Sequence, residues 1–230
     1  MPRRRNLGSP GRILPVKGLQ MAGGEARDVQ VWQALRAARE RPDPRDPATS
    51  VGPLDQSREA FLAWVRAAGE PHVVREHPPV RHARHLAASW GMALGDAVRA
   101  TLFDADGATV LVAVPADRKI DAPRLRVALG VARVAVLRAD RGVGRLGWVN
   151  LPGDPGALPG LPGPFGAHLF FDPEVLDRDE VVVAFSPTSS VRVGPGAYLA
   201  ATGGTRLACV GITRLLPEGG SVEDPPRDRA

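Results

Sequence analysis

The chain has 230 residues, 43% of them hydrophobic and 24% charged, with a formal net charge of +5. That balance predicts a soluble globular chain with a sizeable core. No apolar run reaches the roughly 20 residues of a membrane-spanning helix, and the single cysteine, Cys209, excludes an internal disulfide and a cysteine metal cluster. Residues 1–55 hold ten Lys/Arg and six Asp/Glu, so the remainder is close to neutral. This argues against a broad surface that coats nucleic acid, but it allows a local pocket for a nucleic-acid end.

Residues 1–53 read as a disordered leader and linker that contain one helix. The opening MPRRRNLGSPGRILPVKG is basic with no apolar stretch behind it, so it makes a poor secretory signal and a cytoplasmic location is expected. Met21 is an alternative start. The leader's helix is DVQVWQALRAARE, with Val29, Trp32 and Leu35 near one face. RPDPRDPATSVGP (41–53) is a proline-rich, charged linker.

A domain over 54–213 follows, and 214–230 reads as a disordered tail. Asp55 or Ser57 caps its first helix, which places Phe61, Leu62 and Val65 on one face and stops at Gly69. HVVREH (72–77) is a strand and HARHLAASWGMALG (82–95) a helix ended by glycine. In the next strand Val98, Ala100 and Leu102 point one way, and Arg99, Thr101 and Phe103 the other. Asp104 to Gly107 makes a turn, and TVLVAVP (109–115) returns as a strand covered on both faces. DAPRLRVALG (121–130) carries an aspartate cap, an early proline and a glycine stop, which together mark a helix. RVAVL (133–137) is a strand, and the long Gly/Pro-rich loop over 138–166 has the length of a functional loop. Strands follow at AHLFFD (167–172), EVVVAF (180–185) and VRV (191–193), then a short helix at GPGAYLAATGG (194–204) and a last strand at RLACVGI (206–212). The order predicts an α/β (α+β) fold: a single domain with one mixed sheet flanked by helices.

Seven pieces, in this order and spacing, carry a resemblance: EHPPV (76–80), GDAVRATLF (95–103), VAVPADRKID (112–121), LRVALGVARV (125–134), GLPGPFG (160–166), FFDPEVLDRDEVVVAF (170–185) and GPGAYLAATG (194–203). Residues 58–204 resemble the YbaK-like aminoacyl-tRNA deacylases, relatives of the editing domain of prolyl-tRNA synthetase. The resemblance implies a curved mixed sheet flanked by helices. It also implies hydrolysis of the ester between a mischarged small amino acid and the tRNA 3′ end. Gly160 to Pro164 matches the family's Gly-x-x-x-Pro loop, followed by Phe165 and Gly166. Gly160 and Gly163 are therefore expected as catalytic backbone positions that stabilise an oxyanion, with Pro164, Phe165 and Gly166 at the substrate.

Counting back from Phe103 puts the family's lysine at Arg99, expected as an electrostatic clamp on the acceptor end; arginine keeps the charge with a different reach. His77, Thr101, Phe185, Ser186 and Pro187 are expected substrate contacts. In the turn at Ala184–Pro187, Phe185 stands where the family has small residues. The loop before Gly160 is about ten residues longer than the family pattern.

Other chemistries find little support. His77, His82 and His85 lack acidic or cysteine co-ligands and an HExxH pattern, so neither a metal nor another cofactor is expected. No G-x-S-x-G occurs, and Ser186, Ser189 and Ser190 read as backbone-bonding residues near a turn. The resemblance instead implies a water oriented by backbone groups and the substrate's ribose hydroxyl. Gly142 and Gly144 form only a fragment of a phosphate loop. The expected partners are the tRNA acceptor end and an aminoacyl-tRNA synthetase, with no membrane. The other readings are an inactive domain that binds a tRNA end or a synthetase, and an esterase for another small aminoacyl ester.

Overall fold

The apolar run at 109–115 becomes the centre of the molecule because it can be buried on both sides. The computed structural model describes residues 25–40, 54–80, 82–137, 160–207 and 213–215. In chain order the helices are α1 (Glu25–Glu40), α2 (Leu54–Ala67), α3 (Ala83–Trp90), α4 (Ala122–Leu129), α5 (Pro173–Leu176) and α6 (Pro195–Thr202). The strands are β1 (His72–Glu76), β2 (Val98–Ala105), β3 (Ala108–Pro115), β4 (Arg118–Ile120), β5 (Val134–Val136), β6 (His168–Phe171), β7 (Val181–Ser186), β8 (Ser189–Val193), β9 (Thr205–Arg206) and β10 (Thr213–Leu215).

A five-stranded sheet runs β5-β2-β3-β6-β9, antiparallel on the β2–β3 and β2–β5 sides and parallel at β3–β6 and β6–β9. The β2–β3 hairpin closes through Asp106 (φ 50°) and Gly107 (φ 86°). Two consecutive left-handed residues suit the right-handed twist of the strands, and Asp-Gly supplies them at low steric cost. The mixed sheet agrees with the expected class. The β1, β7 and β8 strands, however, form a separate antiparallel sheet in the order β1-β8-β7. One parallel bridge, Ala97 to Val182, links β7 to the residue before β2.

The alternation along β2 holds. Val98, Ala100 and Leu102 join Leu111, Leu169, Phe171 and the inner faces of β7 and β8 in one core, closed by Phe61, Leu62 and Val65 of α2 and Tyr198 of α6. Phe103 joins Val110, Val112, Val114 and Phe170 in a second core under α1 and α4. The helix expected in the leader thus packs on the domain. It buries Val31, Ala34, Leu35 and Ala38, while Val29 and Trp32 stay 50% and 58% exposed. The buried set has i, i+3, i+4, i+7 spacing and covers a sheet face that would otherwise meet water.

Several boundaries differ from expectation. α2 already runs at Leu54, so Ser57 lies within the helix. α3 stops at Trp90 because Gly91 turns left-handed (φ 63°), and a separate 3-10 turn follows at Leu94–Asp96. α4 matches its sequence signature: the Asp121 carboxylate accepts from the Arg124 N–H, and Gly130 closes the helix at φ 64°. Cys209, Gly142, Gly144 and the basic run Arg3–Arg5 lie outside the described residues. Among those described, no helix is long and apolar enough to cross a membrane.

Candidate functional site

The segment after β1 grips the β7–β8 turn. His77 N–H donates to Thr188 O, and Val80 N–H donates to Pro187 O, both at 2.8 Å. The His77 ring reinforces this grip. Trp90 Nε1 donates to the fully buried Ser190 Oγ at 2.8 Å, and His77 Nε2 lies 3.0 Å from the same oxygen. His77 Nδ1 lies 3.0 Å from Pro78 O. Both ring nitrogens therefore have partners, and the ring ties the segment after β1 to Ser190 of β8. The Ser190–His77 pair superficially resembles a nucleophile and its base, but a fully buried hydroxyl offers an ester no approach. Ser186 Oγ accepts from Thr188 N–H at 3.2 Å, a local turn bond.

The glycine–proline segment docks against the same strand. Gly160 N–H donates to Ala184 O at 3.1 Å, and the buried Tyr198 hydroxyl donates to Gly160 O at 2.5 Å. A Cβ on Gly160 would stand 2.4 Å from Val183 Cγ1 and 2.6 Å from Tyr198 Oη. Glycine at 160 therefore answers to close packing, and the amide expected to serve an oxyanion is engaged inside the fold. Burial pushes the Tyr198 phenol up from its ordinary value.

Farther along, the N–H groups of Phe165 and Ala167 donate to Pro162 O, and Gly166 N–H donates to Gly163 O. Pro162 and Pro164 carry no N–H, so Leu161 and Gly163 hold the amides of this segment best suited to a ligand. At Gly163 a Cβ would lie 2.5 Å from Ser57 Oγ, so glycine here lets α2 approach. Gly163 also lines an open cavity of about 360 Å³ shared with Ser57, Trp64 and Thr202. Pro164 and Phe165 are buried, and Gly166 ends the turn at φ 56°.

Arg99 is not brought to this segment. It lies on the β2 face shared with Thr101 and Phe103, whereas Leu161 and Phe165 pack with Val98, Ala100 and Leu102 on the opposite face. Its Nη2 donates to Arg118 O at 2.5 Å. Arg118 pairs with Glu174 at 2.7 Å, and Arg178 pairs with Asp96 at 3.5 Å nearby in the chain's ionic pattern. The strand position facing the glycine–proline segment is the buried Ala100. Thr101 is likewise buried on the far face. Phe185 is fully buried in the first core, edge-on to Phe61 at 5.5 Å, so its ring acts as packing.

Gly160, His77, Ser186 and Pro187 thus converge at the end of β7. Beside them is a cavity of about 10 Å³ lined by Val80, His82, Ala83, Val98, Ser186 and Pro187 among others. Sequence reading missed Arg58. Its Nη2 pairs with Glu76 Oε1 at 3.3 Å, and its Cζ lies 5.8 Å from the Phe185 ring centroid. Its buried Nε has no hydrogen-bond partner among the described residues, and the same holds for the buried Ser189 Oγ. The available signal was spacing: Arg58 precedes Phe61 and Leu62 by three and four residues, on the apolar stripe of α2. The His82 and His85 rings meet edge-on at 5.3 Å, and among the described residues no group of three or more His, Cys, Asp or Glu is placed to hold a metal ion.

The model of the aminoacyl-tRNA editing domain family matches residues 77–200, which span the turn, the glycine–proline segment and most of α6. The chain belongs to the aminoacyl-tRNA editing domain family. Solved structures agree in fold. One, the hypothetical protein APE2540, is 20% identical with a TM-score of 0.53, covering 64% of this chain and 96% of that one. Another, named as a candidate trans-editing enzyme for prolyl-tRNA synthetase, is 21% identical with a TM-score of 0.54, covering 68% of this chain and 96% of its own. No curated protein matches the chain. In this editing domain the sheet, the flanking helices and the segment order carry the likeness.

Proposed function

We propose that this editing domain hydrolyses the ester of a mischarged small amino acid on tRNA, acting in trans in the cytoplasm. The observation that carries the reading is the convergence of Gly160, His77, Ser186 and Pro187 at the end of β7, within the family's match. Leu161 and Gly163 are the amides proposed to stabilise the developing oxyanion. Ser186 Oγ, the hydroxyl at the convergence, is held by the Thr188 N–H in a local turn bond, which fits attack by an oriented water rather than by a side chain. Deacylation of a panel of mischarged tRNAs tests the reading; hydrolysis of one carrying a small residue is expected, and rates equal to buffer for every member would refute it.

A second reading has its own observation. Arg99 stands on the face away from the glycine–proline segment, and Ala100 faces it. A domain without a strand cation at this site fits a module that binds a tRNA acceptor end or a synthetase without cleaving the ester. Binding of an uncleaved mischarged tRNA, with no product formed, would favour it.

A further inference from the structure

We infer that Arg58, rather than Arg99, is the cation that grips a phosphate of the RNA 3′ end; this rests on the tRNA-end reading above. Arg58 stands on α2 beside the glycine–proline segment. Its ion-pair partner is Glu76, and its guanidinium lies over Phe185, on the face of β7 that packs in the first core with Leu161 and Phe165 of the glycine–proline segment. Its neighbour Ser57 packs on Gly163. The Arg58 side chain is 30% exposed, so a ligand can reach it, and Glu76 is 63% exposed and free to swing aside.

One polar atom at this corner has no acceptor: Arg58 Nε is without a hydrogen-bond partner among the described residues. A guanidinium fork suits a phosphodiester, whose two non-bridging oxygens accept in parallel. Arg99, whose Nη2 already serves the Arg118 carbonyl, stands on the other face of β2.

The experiment measures binding of an unacylated RNA hairpin ending in CCA by fluorescence anisotropy across a salt series, alongside deacylation of the mischarged panel. Arg58→Met keeps an aliphatic stem against Phe185 while removing the charge. It is expected to weaken binding at least about fivefold and to reduce the salt slope by about one. Arg58→Lys is expected to restore part of the affinity, and it serves if the methionine variant does not fold. Glu76→Gln separates a ligand contact from a structural ion pair: unchanged or tighter binding supports the proposal. Wild-type affinity for Arg58→Met, an equal loss for Arg99→Met, or an equal loss for Glu76→Gln would each overturn it. Hydrolysis with no dependence on Arg58 would leave the deacylase reading standing and remove this site. Arg58-dependent binding without hydrolysis would do the reverse.

Discussion

Tyr198 is the chain's single tyrosine, and its hydroxyl ends on the carbonyl of Gly160. Tyr198→Phe leaves that carbonyl without its donor and is expected to cost about 1–3 kcal/mol, read from denaturant midpoints. The alkaline limb follows from burial. The folded chain holds the phenolic proton above the ordinary value of 10.0, whereas the unfolded chain releases it there. This contribution to stability is therefore full below pH 10 and is lost as pH rises beyond it. Tyrosinate absorbance near 295 nm should appear together with unfolding, and a rise in the folded protein near pH 10 would contradict the burial. Gly160→Ala forces a methyl against Val183 and Tyr198; a loss of about 1–3 kcal/mol is expected, seen as a lower thermal midpoint.

Arg99 tests how far a motif can be carried on spacing. The sequence expectation is a loss of more than tenfold in deacylation for Arg99→Ala; its place on the far face of β2 predicts an activity near wild type. Alternation fixed which residues share a face with Arg99, but not which face the glycine–proline segment would cover. Gly160 was legible as a glycine that something approaches, yet the approach comes from Tyr198 and Val183, 38 and 23 residues onward.

Helices with chemical punctuation were read closely. α4 has its aspartate cap and glycine stop where expected, and β2 turns into β3 at Asp106–Gly107. Two elements shifted. α3 is shorter than its pattern because Gly91 stops it early, and the helix in the leader buries a different stripe from the one centred on Val29 and Trp32. Which side of α1 is covered depends on the sheet it meets, and periodicity alone does not name that sheet. Leu35→Ala in α1 should cost about 2–5 kcal/mol if the helix covers the second core, and a change under about 0.5 kcal/mol in chemical denaturation would place α1 outside the cooperative unit.

Across the molecule, two cores flank the five-stranded sheet, and the proposed site lies at the end of β7 on the side of the first core. Nearly neutral charge over residues 56–230 fits recognition of an RNA end better than coating of a long nucleic acid, so binding of the CCA hairpin should show a shallow salt slope of only a few phosphates, measured by anisotropy. The chain's residues alone fixed the mixed α/β class, the doubly buried β3, the β2–β3 hairpin and the order of segments that marks an editing domain, because local periodicity and turn chemistry encode these. The facing of Arg99, the docking of Gly160 by Tyr198, the use of His77 as a clamp and the place of Arg58 beside Phe185 required the folded chain. Each depends on contacts between residues far apart in sequence, and the relative placement of two elements is set by packing across the core rather than by either element's own pattern.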